Sequence, residues 1–76
     1  MDKNIFIENV KNQFENYQDI TLNMESNFRE VDTYDSLTAM AIMVMLKDEY
    51  NVDISDEEYL SKKTVQELYD FVQLNQ

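Results

Sequence analysis

The chain contains neither glycine nor proline anywhere among its 76 residues. The strongest local signals for turns are therefore missing, so element boundaries must be read from apolar periodicity and from helix caps. The periodicity predicts four helices, an all-α fold and one domain over residues 1–76, without internal repeats. A domain of this size buries only about 60% of the surface that its unfolded chain exposes. Because such a thin core cannot house a catalytic cavity, we expect a protein that is not an enzyme.

The first predicted helix covers about Lys3 to Tyr17 and is followed by an unusually long connection. Apolar side chains at helical spacing gather on one side of this helix: Phe6, Ile7, Val10, Phe14 and Tyr17. The connection, roughly residues 18–35, contains turn-favouring Asp, Asn and Ser together with apolar residues that can pin it to a core. These apolar residues are Ile20, Leu22, Met24, Phe28 and Val31. Loops of this length in compact domains are often functional.

Two capping boxes predict the last two helices. In a capping box a Ser or Thr caps the helix, and a Glu three residues later reaches back to the cap. Ser55 with Glu58 predicts a short third helix, and Thr64 with Glu67 predicts a last helix that extends to about Leu74. The expected fold is therefore a small four-helix bundle with a long loop between helices 1 and 2 and a short third helix.

The second helix, from Asp35–Ser36 to near Tyr50, is apolar on two opposite sides. Either Asp35 or Ser36 can serve as its N-cap. One side carries Ala39, Ile42, Met43, Leu46 and Tyr50. The other side carries Leu37, Met40, Ala41 and Val44. A bundle helix needs one apolar stripe for its core, so the second stripe predicts a docking surface, where flexible methionines adapt to several partners. The alternative is a central helix whose neighbours cover both sides.

Composition limits the partners of this chain. With 16 acidic and 6 basic side chains it has a net charge of −10, which repels nucleic acids and anionic membranes and favours partners that present Lys and Arg. The absence of Cys and His excludes disulfide, zinc and haem sites of the usual kind, and we expect no bound metal. No segment approaches the ~20 apolar residues of a membrane span. We therefore expect a monomeric, soluble, cytoplasmic protein without membrane insertion.

Ser36 lies where the long loop meets the two-faced helix. A serine nucleophile needs an adjacent base. The chain has no His, and neither Lys nor Arg occurs between Glu30 and Lys47. Any chemistry at Ser36 must therefore be carried out by another protein. The free N–H groups and dipole of a helix N-terminus favour a covalent phosphate at this position, whereas the simpler alternative is a plain N-cap.

Asp35-Ser36-Leu37 resembles the phosphopantetheine attachment motif of the acyl carrier protein family. The resemblance keeps register from Phe28 to Val72, through the segments 46–50, 54–58, 64–68 and 70–72. It implies that a phosphopantetheinyl transferase, using Mg²⁺, moves 4′-phosphopantetheine from coenzyme A onto Ser36. The thiol of this arm then carries acyl groups as thioesters between enzymes of fatty acid, lipid or polyketide-type biosynthesis.

The resemblance also implies roles for the neighbours of Ser36. In the family, the residue at Asp35 helps to engage the transferase and its metal, and Leu37 stands beside the attachment serine. The partners are acyl-transferring or acyl-activating enzymes with basic and apolar docking patches. The docking residues expected from the resemblance and from the apolar stripe are Leu37, Met40, Ala41, Val44, Met45, Asp48 and Glu49.

Several positions depart from the family pattern. Thr33 stands where the family usually has glycine, and we expect the following Tyr34 to narrow access to the serine. Lys62 occupies a commonly apolar position, and we expect Tyr59 and Leu60 to fill that space. Neutral or basic residues replace common acidic ones at Thr38, Ala41 and Lys47. The depleted acidic face leads to the hypothesis of a carrier that serves a specialised pathway.

Two other functions agree with the same residues. A peptidyl or D-alanyl carrier also holds its arm on a serine at the N-terminus of a second helix, and the acidity of this chain favours acyl cargo over these. An unmodified interaction module is the other alternative, in which the two-faced helix docks a partner and Ser36 serves only as a cap.

Overall fold

The computed structural model describes residues 1–76 and contains four α-helices and no β-strand. The helices are α1 Lys3–Lys11, α2 Ser36–Tyr50, α3 Asp56–Leu60 and α4 Val65–Asn75. A single 3₁₀ turn, Phe28–Glu30, interrupts the long connection between α1 and α2. The predicted all-α bundle with a long first loop and a short third helix is therefore confirmed. None of its helices is both long and apolar enough to cross a bilayer.

The α1 helix is shorter than predicted, because it ends at Lys11 and not near Tyr17. After Asn12 the chain continues in tighter turns, in which the N–H of Phe14 donates to the carbonyl of Lys11 at 3.1 Å. Asparagine is a poor helix former, and tertiary packing here overrides the apolar periodicity. Phe14 still reaches the core and is 2% exposed, whereas Tyr17 is 42% exposed.

The α2 helix begins and ends as predicted, and Asp35 is its N-cap. The backbone of Asp35 is extended, and its carboxylate accepts hydrogen bonds from the backbone N–H and the hydroxyl of Thr38, at 3.0 and 3.1 Å. Ser36 is therefore the first helical residue and not the cap. At the other end Asn51 adopts the left-handed conformation (φ 57°, ψ 38°). Glycine is the usual residue in this conformation at the end of a helix, and asparagine tolerates it better than most other residues.

Only one of the two predicted capping boxes is complete. The hydroxyl of Thr64 accepts from the N–H of Glu67 at 3.1 Å, and the Glu67 carboxylate accepts from the N–H of Thr64 at 3.0 Å. Ser55 accepts from the N–H of Glu58 at 3.1 Å. The reciprocal half of that box is absent, because the Glu58 carboxylate pairs with the ammonium of Lys62 at 3.0 Å. A single cap is enough to start the five-residue α3.

The core contains thirteen buried hydrophobic side chains drawn from all four helices and from the connections. They are Phe6, Val10, Phe14, Phe28, Ile42, Met45, Leu46, Val52, Tyr59, Val65, Leu68, Tyr69 and Val72. The long loop is pinned as predicted: Phe28 is fully buried, and the other four apolar loop residues pack against the core. Its backbone carbonyls at Met24 and Ser26 also accept hydrogen bonds from the first turn of α4, at 2.8 and 3.1 Å. These bonds satisfy N–H groups that a helix N-terminus leaves free.

Candidate functional site

The Ser36 hydroxyl is the one serine hydroxyl in the chain without an intramolecular hydrogen bond. The other three serines are committed locally: Ser26 and Ser55 accept from backbone N–H groups at 2.9 and 3.1 Å, and Ser61 donates to a backbone carbonyl at 2.6 Å. Ser36 is exposed at the first position of α2, and Asp35 has taken the capping role. The oxygen of Ser36 is therefore free to react with a group brought by another molecule.

Asp35 places a fixed carboxylate directly before this serine. The backbone N–H and then the hydroxyl of Thr38 bond to the carboxylate and hold the pKa of Asp35 below its ordinary value. Asp35 is therefore ionised at neutral pH and is a weak base. Thr38 itself is 6% exposed, so a neutral residue there does not deplete an exposed acidic face. Of the three positions at which this chain lacks a common acidic residue of the family, only Ala41 and Lys47 therefore bear on the charge of the exposed face.

An open cleft of about 390 Å³ lies beside Ser36, between the first half of α2 and α3. Ala39 and Met43 of α2 form one wall, and Leu60 of α3, which is 69% exposed, stands at the rim. At the inner end the cleft meets Tyr59, a core residue that is 2% exposed. A group attached to Ser36 therefore has apolar surface next to it.

A hydrogen-bonded cluster of Arg29, Tyr34 and Tyr59 lines the part of the cleft that reaches the core. The hydroxyls of Tyr34 and Tyr59 are 2.8 Å apart, and Arg29 donates to the Tyr34 hydroxyl at 3.1 Å. Arg29 also donates to the carbonyls of Lys62, at 2.7 Å, and of Tyr59. Its guanidinium lies over the ring of Tyr59 at 4.7 Å from the centroid. Burial, followed by the bond to Tyr34, raises the pKa of the Tyr59 hydroxyl, which stays protonated.

The departures from the family pattern have local explanations. Thr33 does not adopt the positive φ that favours glycine, since Asn51 is the one residue with positive φ. The Thr33 hydroxyl donates to the side-chain oxygen of Asn16 at 2.7 Å. The ammonium of Lys62 lies 5.3 Å from the centroid of the Phe71 ring in α4, and the Lys62 side chain is only 19% exposed, so a lysine is accommodated at this commonly apolar position. Tyr59 is buried nearby as expected, whereas the expectation for Leu60 is wrong because it faces solvent.

The second apolar stripe of α2 is exposed. Leu37, Met40 and Val44 are 73%, 60% and 56% exposed, Ala41 is half-buried, and the acidic residues that follow, Asp48 and Glu49, are exposed. Met45, predicted as a docking residue, is only 5% exposed and belongs to the core, although it also lines the groove beside this stripe. It follows Ile42 by three residues and therefore shares the buried side of the helix.

The end of α1 and the turn that follows it add polar side chains that the sequence did not assign to this surface. Asn9, Asn12 and Gln13 border a shallow groove whose other side is the exposed stripe of α2. Asn9 also donates to the hydroxyl of Tyr50 at 2.9 Å, which ties α1 to the end of α2. Periodicity identifies the apolar face of each helix, but it does not show which helix lies alongside it.

A free serine at the start of a two-faced helix, behind an ionised aspartate and beside an apolar cleft, has the form of a carrier domain. The sequence model of the family described as "Phosphopantetheine attachment site" matches residues 12–72, so this chain belongs to that family. An acyl carrier protein from Thermosynechococcus vestitus (strain NIES-2133 / IAM M-273 / BP-1) is 40% identical over 48 residues. The match covers 63% of this chain and 59% of that relative. The predicted resemblance to acyl carrier proteins is confirmed.

Proposed function

We propose that the protein is an acyl carrier whose Ser36 receives 4′-phosphopantetheine from coenzyme A. In this reaction the Ser36 oxygen bonds to the phosphorus that bears the pantetheine, and adenosine 3′,5′-bisphosphate leaves with the bridging oxygen. The observation that carries the proposal is the uncommitted hydroxyl of Ser36, in contrast to the three bonded serines. The hydroxyl proton must pass to a base on the transferase, because Asp35 is held as a weak base and the chain has no His.

The residues around Ser36 suit a phosphodiester. Ser36 is the first residue of a 15-residue helix, whose N-terminal dipole and free N–H groups stabilise an anion. We propose that Asp35, next to the serine, contributes to the binding of the transferase and its Mg²⁺. The modification supplies a thiol, and this explains how a chain without cysteine takes part in thioester chemistry. The cargo is an acyl group of fatty acid, lipid or polyketide-type biosynthesis.

The exposed stripe of α2 is the proposed docking surface. Leu37, Met40 and Val44 form an apolar centre, with Asp48 and Glu49 at one end. The matching partner, first the transferase and then the acyl-handling enzymes, presents an apolar patch with basic residues at its edge. Because Ala41 and Lys47 replace acidic residues that are common in the family, we propose a carrier of a specialised pathway. Transfer at equal rates with enzymes of general fatty acid synthesis would contradict this part.

The test is the intact mass of the protein after incubation with coenzyme A, Mg²⁺ and a broad-specificity phosphopantetheinyl transferase. We expect one phosphopantetheine on the wild type and on Ser61→Ala, and none on Ser36→Ala. Ser61→Ala is the matched control because it removes another exposed hydroxyl from a short turn. A folded wild type that gains no mass with several transferases would favour the unmodified interaction module. Loading that depends on amino acid adenylation would favour a peptidyl or D-alanyl carrier.

A further inference from the structure

The cleft beside Ser36 is apolar along its walls but ends at hydrogen-bonded groups. Ala39, Met43 and Leu60 offer hydrocarbon surface near the serine. Farther in, the cleft meets the cluster of Arg29, Tyr34 and Tyr59. An acyl chain that the arm on Ser36 folds back into the cleft therefore finds favourable surface only within a space of about 390 Å³.

The cluster resists displacement because its polar groups hold one another. Each tyrosine hydroxyl is bonded to the other at 2.8 Å, and Arg29 bonds to Tyr34 and to two backbone carbonyls. Arg29 has no carboxylate within salt-bridge distance. Moving Tyr34 aside would remove one partner of the guanidinium and the one partner of the Tyr59 hydroxyl beside an alkyl chain, which is unfavourable in a low-polarity site.

The space behind the cluster is filled. The rings of Phe14 and Phe28 lie 6.3 and 5.9 Å from the ring of Tyr34, and both phenylalanines are at most 2% exposed. Of the thirteen core residues, only Tyr59 lines the cleft. Protein interiors are close-packed, so a longer chain could not continue inward without expelling core side chains.

We propose that the cluster of Arg29, Tyr34 and Tyr59 is a stop that limits the sheltered cargo to the acyl chain length that fits within the cleft. This inference rests on the proposed attachment at Ser36 and assigns a substrate class to that site. Acyl groups longer than the cleft keep their distal carbons outside it, where solvent and partner enzymes reach them. Tyr34 and Tyr59 are then specificity-determining residues for chain length.

The experiment loads the full chain with a series of acyl groups through the transferase. Acetyl-, butyryl-, hexanoyl-, octanoyl-, dodecanoyl- and hexadecanoyl-coenzyme A serve as donors, so that each product carries a defined thioester. The rate of thioester cleavage by hydroxylamine and the thermal midpoint are measured for each form. We expect protection and midpoint to rise through the short members of the series and then to stop rising. Protection that continues to increase through hexadecanoyl would overturn the inference.

Variants at the cluster locate the stop. Tyr34→Leu removes the ring and the hydroxyl at the inner end, so the chain length at which protection stops rising should become longer and hexadecanoyl thioester cleavage several-fold slower than in wild type. Tyr34→Phe keeps the ring and should shift the limit less. If Tyr34→Leu does not fold, Tyr34→Phe and Tyr59→Phe together decide the question. Unchanged length dependence in the variants that fold would refute the role of the cluster.

The matched control is Tyr69→Leu or Tyr69→Phe. Tyr69 is also buried, and its hydroxyl also donates to a partner, the carbonyl of Met1 at 3.0 Å, but it does not line the cleft. These changes should leave the length dependence unaltered, and an equal shift in them would overturn the assignment to Tyr34. A wild type that accepts no arm refutes the proposed function and this inference with it. Loading followed by protection that is independent of length refutes the inference alone.

Discussion

The hydroxyl pair of Tyr34 and Tyr59 should be energetically coupled, and a double-mutant cycle measures this coupling. The two oxygens are 2.8 Å apart, and a net intramolecular hydrogen bond contributes about 0.5–1.5 kcal/mol. Tyr59→Phe removes only this bond, because the Tyr59 hydroxyl has Tyr34 as its one partner. Tyr34→Phe also removes the acceptor for Arg29, and a bond from a charged donor contributes about 1.5–3 kcal/mol. The free energy of unfolding should therefore fall by about 1 kcal/mol in Tyr59→Phe and by about 2–4.5 kcal/mol in Tyr34→Phe.

Urea unfolding and thermal unfolding, both followed by far-UV circular dichroism, measure all four members of the cycle. In a domain of this size each 1 kcal/mol shifts the thermal midpoint by about 4–8 °C, so the difference between the two single variants is resolvable. The double variant should cost less than the sum of the singles by about 0.5–1.5 kcal/mol. Additive costs within about 0.3 kcal/mol, or equal costs for the two single variants, would refute the network as described.

Three further predictions test the cap, the titration of Asp35 and the two faces of α2. Ser36→Ala should change the free energy of unfolding by less than about 0.5 kcal/mol, whereas Ser55→Ala, which removes a cap, should lower it by about 1 kcal/mol. Urea unfolding measures both variants, and equal costs would contradict the assignment of Asp35 as the cap of α2. The pKa of Asp35 is lowered from 3.8, so its ionised form stabilises the fold above that pH, and this stabilisation is lost as the pH falls through the lower folded-state value. The stability difference between wild type and Asp35→Asn should accordingly shrink between about pH 5 and pH 2, and a constant difference in urea unfolding would reject this. Leu46→Ala should lower the free energy of unfolding by about 2–5 kcal/mol, whereas Leu37→Ala should change it by no more than about 0.5 kcal/mol. Leu37→Ala should nevertheless lower the kcat/KM of the transferase, and modification at the wild-type rate would argue against docking at Leu37.

Local sequence was sufficient to predict three of the four helices. The bounds of α2 and α4 and the start of α3 agree with periodicity and caps, because both signals depend on residues within one or two turns of each other. The prediction for α1 failed at its end, where Phe14 keeps helical spacing but reaches the core through tighter turns. Apolar spacing does not distinguish an α-helix from such a continuation, since both can place the same side chain inside.

The choice between Asp35 and Ser36 as the cap depended on geometry finer than sequence preference. Both residue types are good N-caps, so propensity left the choice open. The folded backbone places the Asp35 carboxylate at bonding distance from both donors of Thr38, and this frees the Ser36 hydroxyl. Among the methionines of α2, Met40 is exposed and Met45 is buried, although their chemistry is identical.

The sequence by itself therefore determined the helical class, the position of the serine and the presence of a second apolar stripe on α2. Only the tertiary structure brought Arg29, Tyr34 and Tyr59 together at the end of the cleft. Arg29 and Tyr59 are 30 positions apart in the chain, and no local pattern marks two such residues as neighbours. Their contact exists because the long loop packs against α3 and the start of α4, and that packing is a property of the whole core.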